Sequence, residues 1–439
     1  MKDKVKNNFN NAELSDPEIT GIDSYKFKLK QLEIDNKIIN LLHLRPYTID
    51  DISTFEIDDA ISLEKKGSQK TIWIHISDPS SFISSNSNID LKAKRKATSV
   101  YLSNEVITML PNDLIHNHFS LRAGRKVSTL SAAINIGSEG EILGFNVMRA
   151  LIRPVYNLTY EEANELIDYA PREEDDLYIL STLLDLRRRW RMNQGALLLD
   201  QPHGRLTLKQ DKPSLNIIEP SPARILVSEC MILMGTVIAE YGQNRSIPLP
   251  FRSQVSSLKS RIKYTYDNKI LAVNNSIIKQ NLYRAITSVE PNRHFSLGLK
   301  CYTQATSPLR RYTDLIVHRQ ILGHLDNNTF LNVNDVSELL MTLLTPQKQA
   351  LDLMREDQAN LQYIYFEYNK DKIWKTYFLR IISQKEGIVL LYFELLEMDI
   401  VCNLGINENW TTGDCINITV DHLDKQSNTV FFEIATPSN

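Results

Sequence analysis

The stretch TIDDISTFEIDDAISLE, residues 48–64, carries six carboxylates (Asp50, Asp51, Glu56, Asp58, Asp59 and Glu64) and neither Lys nor Arg. Small and apolar residues separate the acids, so the segment otherwise reads as core. Asp50, Glu56, Asp58 and Asp59 converge only if the chain bends, because neighbours such as Asp58 and Asp59 point to opposite faces of a straight strand. Converged carboxylates repel one another unless cations balance them. Oxygen ligands with no His or Cys nearby select Mg²⁺, or Mn²⁺ in its place, over zinc. Two such ions suit phosphoryl chemistry, one activating a water and the other stabilising the leaving oxygen. The glycine and terminal glutamate of an EF-hand are missing, which argues against a calcium loop of that kind. Composition alone leaves a catalytic metal site and a solvated acidic loop both open.

A second constellation, TSPLRRYTD at residues 306–314, sets Arg310 and Arg311 after a Ser-Pro turn at the start of a helix. Guanidinium forks and helix N-terminal N–H groups both suit phosphate. Alone, the same residues fit a salt-bridged helix start equally well. An acidic metal site together with arginines at a helix start is the pairing expected for cleaving a phosphodiester. Two basic runs, KAKRK (92–96) and RRRWR (187–191), suit either a nucleic-acid backbone or an ordinary helix surface.

The elements that must position these residues follow from periodicity. TIWIHISDPSSFI (71–83) alternates like a strand and closes in an Asp-Pro turn, and VSTLSAAINI is a second strand. TYEEANELIDYA reads as a helix with Thr159 as N-cap. EEDDLYILSTLLDLRRRWRMN, PARILVSECMILMGTVIAEYGQN and PLRRYTDLIVHRQILGHL read as longer helices, and LKAKRKATSVYL as a basic one. A further helix beginning at DVSELLMTL is expected to be interrupted at Pro346. After Lys370 five short β-like runs separated by turn signals predict a small closed barrel, the strand count of an OB-fold. Residues 1–36 are polar and read as an arm, 37–368 as the catalytic domain, and 370–439 as the barrel.

The chain has 439 residues and a formal net charge of -3, so any anion-binding surface must be local. Its four cysteines lie far apart without CxxC spacing, which fits neither a zinc site nor a disulfide framework and points to a reducing, cytoplasmic setting. The amino terminus has no apolar run of a signal peptide. The apolar run ILVSECMILMGTVIA is broken by Ser228 and Glu229 and reads as a buried helix, too short and polar to span a bilayer, so no membrane is expected as a partner.

At these residues the chain resembles the ribonuclease II/RNase R (RNB) family of 3′→5′ exoribonucleases. The four acids are spaced as in that family and are followed by Ala60-Ile61. IWIHISDPSSFI, KRKATSVYLSNEVITMLPNDL, FSLRAG, NQGALLLDQP, LVSECMILMGTVIA and YTQATSPLRRYTDLIVHRQIL follow in family order over residues 47–325. The resemblance implies an α/β (α+β) catalytic domain with a C-terminal all-β OB-fold barrel, degenerate in its RNA-stacking aromatics. It implies that single-stranded RNA enters 3′ end first and leaves as nucleoside 5′-monophosphates after Mg²⁺-assisted water attack. Carried over by motif, Asp50, Asp58 and Asp59 hold metal, Glu56 is the fourth acid, and Arg310 stabilises the phosphate, with Arg311 beside it on RNA. Tyr160 positions the 3′-terminal nucleotide, Tyr101 stacks on bases and Glu229 accepts from a ribose hydroxyl; the other reading of Glu229 is a satisfied core acid. Asp51 and Glu64 are expected to be bystanders.

Three departures stand out. Glu56 occupies a position where Asp is commoner, and Leu199 one where a second stacking aromatic is often found. The first 46 residues leave no room for a pair of N-terminal cold-shock domains, so a short form lacking them is expected. That form would bind unstructured RNA more weakly, or a protein or RNA-binding factor would replace the missing contacts; a monomer is otherwise expected. The competing reading is a catalytically weak or silent RNA-binding relative acting as a scaffold. A third is a nuclease for DNA or structured RNA.

Overall fold

The computed structural model describes residues 37–210, 212–256, 270–328, 330–406 and 409–435. The arm expected over residues 1–36 lies outside the described residues. In chain order the first strands are β1 (Ile39–Asn40), β2 (Tyr47–Asp50), β3 (Asp59–Lys66), β4 (Gln69–Ser77), β5 (Val100–Tyr101), β6 (Val106–Ile107), β7 (Val127–Ile136), β8 (Ile142–Ile152) and β9 (Tyr156–Thr159). β5 and β6 pair with each other, and the other seven form one sheet in the order β1-β8-β7-β4-β3-β2-β9. Its inner ladders are antiparallel, while β1–β8 and β2–β9 are parallel.

The period of two along β4 separates two cores. Ile72, Ile74 and Ile76 face one side with Leu130, Ala132 and Ile134 of β7, whereas Trp73 belongs to the apolar cluster on the other side. Each such side chain contributes roughly 1.5–3 kcal/mol when fully buried. His75 sits between the hydroxyls of Ser62 (2.9 Å) and Ser131 (2.8 Å), and burial pushes its pKa down to about 3. The strand stops at Ser77, where Asp78 caps the single turn Pro79–Ser81 by accepting from the Ser81 N–H.

Among the described residues, the helices of eight residues or more are α1 (Asn88–Lys96), α2 (Tyr160–Tyr169), α3 (Asp176–Asn193), α4 (Pro222–Asn244), α5 (Leu271–Gln280), α6 (Tyr312–Leu325) and α7 (Val333–Tyr368). α2, α3 and α4 pack on the Ile72–Ile74–Ile76 face of the sheet. Thr159 is the N-cap of α2, completed to a capping box by Glu162. α4 has the bounds read from the sequence, Pro222–Asn244. Its length and composition would also suit a membrane span, but most of the helix is buried inside the protein. It occupies the place of a core helix.

Pro346 does not interrupt α7, which runs through it for 36 residues. One missing N–H and one crowded carbonyl are local losses, and burial of Val336, Leu343, Ala350, Leu361 and Phe366 along the helix outweighs them.

Two hairpin-like pairs, β10 (His203–Lys209) with β11 (Lys212–Ile218) and β12 (Phe251–Ser253) with β13 (Ile286–Ser288), connect the helices. The chain then forms β14 (Trp374–Ser383), β15 (Ile388–Phe393), β16 (Met398–Asn403), β17 (Cys415–Asp424) and β18 (Thr429–Ile434), a closed barrel ordered β14-β15-β16-β18-β17. The five expected runs are these five strands, and the fold is a mixed α/β domain followed by an OB-like barrel. The barrel core also takes Leu361, Tyr363, Tyr365 and Phe366 from the end of α7 and Leu206 from β10.

Candidate active site

Asp50 ends β2 and Asp59 opens β3. These strands are antiparallel neighbours, with Tyr47 opposite Ile61, so residues 51–58 turn back and supply the bend the acids require. Burial raises the pKa of Asp50 above the usual carboxylate range, and the charge of Asp59 adds to it while Arg310 opposes. Burial likewise raises Asp59 against the pull of Arg310. The parallel register of β2 and β9 sets Asp50 opposite Thr159, immediately before Tyr160. Burial, then the charges of Asp50 and Asp59, lift the Tyr160 phenol to about 12.

Asp58 has partners of its own. It is 3% exposed. Its Oδ1 accepts from the Leu309 N–H at 2.9 Å and its Oδ2 from Arg310 Nε at 3.3 Å. Burial raises the Asp58 carboxyl as well, opposed first by Arg310. Among the described residues no three His, Cys, Asp or Glu side chains gather closely enough to cage an ion. Of the three aspartates expected to hold metal, Asp58 is engaged by Arg310 and the Leu309 amide. The Asp50–Asp59 pair remains, and its chemistry fits Mg²⁺, which is commonly held by one or two carboxylates with water and phosphate oxygens.

Arg310 lies in the turn before α6, its N–H bonded to the Ser307 carbonyl at 3.2 Å. Its side chain is 43% exposed, so one edge binds Asp58 while part of the guanidinium reaches solvent. Burial opposes its charge, but Asp58, Tyr101, Asp59 and Glu56 outweigh that and hold its pKa above the ordinary value. Glu56 accepts from Ser99 Oγ at 2.8 Å and from the Tyr101 hydroxyl. Tyr101 thus stands beside the acids, with its residue surface 39% exposed.

Two residues expected to meet RNA are paired within the protein. Arg311 is taken up by Asp314, through Nε at 3.0 Å and a second nitrogen at 2.6 Å. It braces the first turn of α6 rather than presenting a free fork to phosphate. Both carboxylate oxygens of Glu229 are held by Arg191, in a pair whose side chains are 3% and 4% exposed. That geometry favours the satisfied core acid over a ribose contact. Most of RRRWR is likewise engaged within the protein. Arg187 lies over the Trp190 ring at 4.1 Å, Arg188 pairs with Asp200 and Arg189 pairs with Asp185. In KAKRK, Lys96 donates to the Thr108 carbonyl at 2.8 Å.

Asp51, expected to be a bystander, is instead bonded to Arg224 at 2.8 Å, and the Arg224 guanidinium lies 3.8 Å from the centre of the Tyr160 ring. Nothing in the local sequence marks this trio, since Arg224 stands 173 residues from Asp51. Glu64 accepts from Trp73 Nε1 at 3.1 Å and pairs with Lys66 at 2.9 Å, away from this cluster. A cavity of about 720 Å³ lies against Asp51, Tyr160, Asn164, Arg205, Lys209 and Arg224. A smaller one of about 310 Å³ is lined by Arg224, Glu229, His203 and Leu199.

Residues 38–327 match the RNB domain. The chain is 30% identical over 407 residues to an uncharacterized ribonuclease of Synechocystis sp., covering 91% of this chain and 60% of that protein. It is 31% identical over 409 residues to a chloroplastic/mitochondrial ribonuclease II of Arabidopsis thaliana, covering 90% of this chain and 50% of that one. It therefore spans between half and three fifths of the length of these relatives. In fold it is similar to Mycoplasma genitalium RNase R in complex with ribose-methylated single-stranded RNA, with a TM-score of 0.80 at 19% identity, over 99% of this chain and 75% of that one.

Proposed function

The chain belongs to the RNB domain family, and from that premise we propose that it is a hydrolytic exoribonuclease, degrading single-stranded RNA from the 3′ end to nucleoside 5′-monophosphates. The observation that carries this reading is the Asp50–Asp59 pair, set against Arg310 and flanked by Tyr160. Like charges brought together away from water call for a cation, and the exposed part of Arg310 supplies only one. A Mg²⁺ ion, or Mn²⁺, held by Asp50 and Asp59 with Asp58 next to them would acidify the attacking water and offset phosphate charge.

The chain's own residues do the rest. Arg310, held through its Nε by Asp58, offers its remaining donors to the scissile phosphate, where negative charge grows in the transition state. Its raised pKa keeps it charged throughout. Tyr160 offers a ring to the terminal nucleotide, with Arg224 against it and Asp51 holding Arg224. The Tyr101 surface lies beside Glu56, where stacking would tolerate any base. The four cysteines are free thiols, which fits a reducing compartment.

The test is a 5′-labelled 30-mer incubated with the purified chain with and without Mg²⁺. The reading expects metal-dependent shortening from the 3′ end with mononucleotide release. Binding without shortening, whether or not Mg²⁺ is present, would instead favour the silent scaffold.

A further inference from the structure

We propose that Glu56 is a positioning residue, one that tethers Tyr101 and the Arg310 segment to each other, and not a ligand of the metal. Its consequence for RNA rests on the nuclease reading; the tether itself rests on geometry. Glu56 is 5% exposed, and its two oxygens have separate partners: Oε1 accepts from Ser99 Oγ at 2.8 Å and Oε2 from the Tyr101 hydroxyl. Ser99 Oγ in turn accepts from the Met109 N–H at 2.9 Å.

Ser99 belongs to a stretch laid along the arginine segment. The Ser99 N–H and the Thr98 hydroxyl both donate to the Arg310 carbonyl, at 3.0 and 2.8 Å, and the Tyr312 N–H donates to the Ala97 carbonyl at 2.9 Å. Glu56 thus ties three things together: the acidic loop, the backbone that carries Arg310, and a half-exposed tyrosine ring. An aspartate at the same Cα would be shorter by one C–C bond, about 1.5 Å, and would not span Ser99 and Tyr101 from this backbone position. Turned to Ser99 and Tyr101, the Glu56 side chain fixes the distance between the ring that would meet RNA and the arginine that would meet phosphate.

Two measurements on the full chain decide it. Affinity for a 5′-labelled single-stranded 30-mer is read in EDTA, where no cleavage occurs, and Mn²⁺ affinity is read from the free-ion electron paramagnetic resonance signal. Glu56→Ala and Tyr101→Phe should each weaken RNA binding about 3- to 10-fold, as expected for one lost hydrogen bond. The double variant should be no weaker than the poorer single one. Glu56→Gln, which keeps an acceptor oxygen, should recover part of the loss. Mn²⁺ affinity should stay within about twofold in all of these, while Asp59→Asn loses about tenfold or more. A tenfold loss of Mn²⁺ binding in Glu56→Gln, or RNA effects that multiply in the double variant, would overturn the proposal. If the wild-type chain binds no RNA, the nuclease reading falls by itself. The same cycle read in thermal unfolding then decides the tether: non-additive midpoint shifts uphold it and additive ones overturn it.

Discussion

Asp50 and Asp59 hold like charge in a poorly hydrated corner, and burial lifts both above the ordinary carboxylate pKa of 3.8. The folded chain therefore keeps protons that the unfolded chain has released, and without a cation these two groups lose stability for the fold as pH rises from about 4 toward their raised values. Asp59→Asn should remove that penalty. In EDTA at pH 8 it should stabilise the protein by about 1–2 kcal/mol, an effect shrinking toward zero as pH falls to about 4. Thermal unfolding at the two pH values checks this, and equal midpoints for variant and wild type at pH 8 would contradict it. For the same reason divalent-ion binding competes with protons at this pair. Mn²⁺ affinity should fall as pH drops, well before the ordinary carboxylate range is reached, and titration in weak buffer should show protons released on binding. Arg310→Ala should lower kcat by about 10²–10³-fold, the loss expected for a donor aimed at developing charge, with Arg310→Lys falling between. Single-turnover kinetics measures this, and an effect confined to KM would assign Arg310 to ground-state binding instead.

Elements whose signals are local are legible in the sequence, and pairings between distant residues are not. Thr159 was legible as an N-cap because Ser, Thr, Asp and Asn favour that position, and the structure adds Glu162 as the other half of a capping box. Thr159→Ala should destabilise the protein by about 1 kcal/mol. It should also raise KM for RNA, because Tyr160 is the first residue of the helix so anchored; an unchanged KM would show that Arg224 alone fixes that ring. The β4 strand and the five barrel strands were legible from alternation and turn residues. By contrast, the uses of Arg191, Arg224 and Arg311 depend on Glu229, Asp51 and Asp314. Two of those partners lie far away in sequence, and periodicity carries no trace of them. RRRWR looked like a surface run because charge is usually solvated, yet the packing of α3 under α4 buries three of its arginines beside specific partners. Pro346 misled in the same way, since a local rule about helices yields to the burial of a long one.

For the whole molecule, the barrel and the sheet domain meet through α7. Phe366, 1% exposed, packs at 5.1 to 5.5 Å against Phe432, Trp374 and Phe393. Phe366→Ala should destabilise the protein by about 3–5 kcal/mol and loosen the barrel first, which hydrogen exchange of β14–β18 would show against unchanged exchange in β3 and β4. The sheet does the complementary work, bringing β2, β3 and β9 side by side so that Asp50, Asp59 and Tyr160 meet at one edge. The most direct measurement of the central claim is degradation of a 5′-labelled 30-mer by the wild-type chain and by Asp59→Asn, each with Mg²⁺ and with EDTA. Shortening by wild type with Mg²⁺ alone, and a loss of about 10²-fold or more in Asp59→Asn, is the predicted result. Equal shortening by wild type and variant, or wild-type shortening that persists in EDTA, would contradict it.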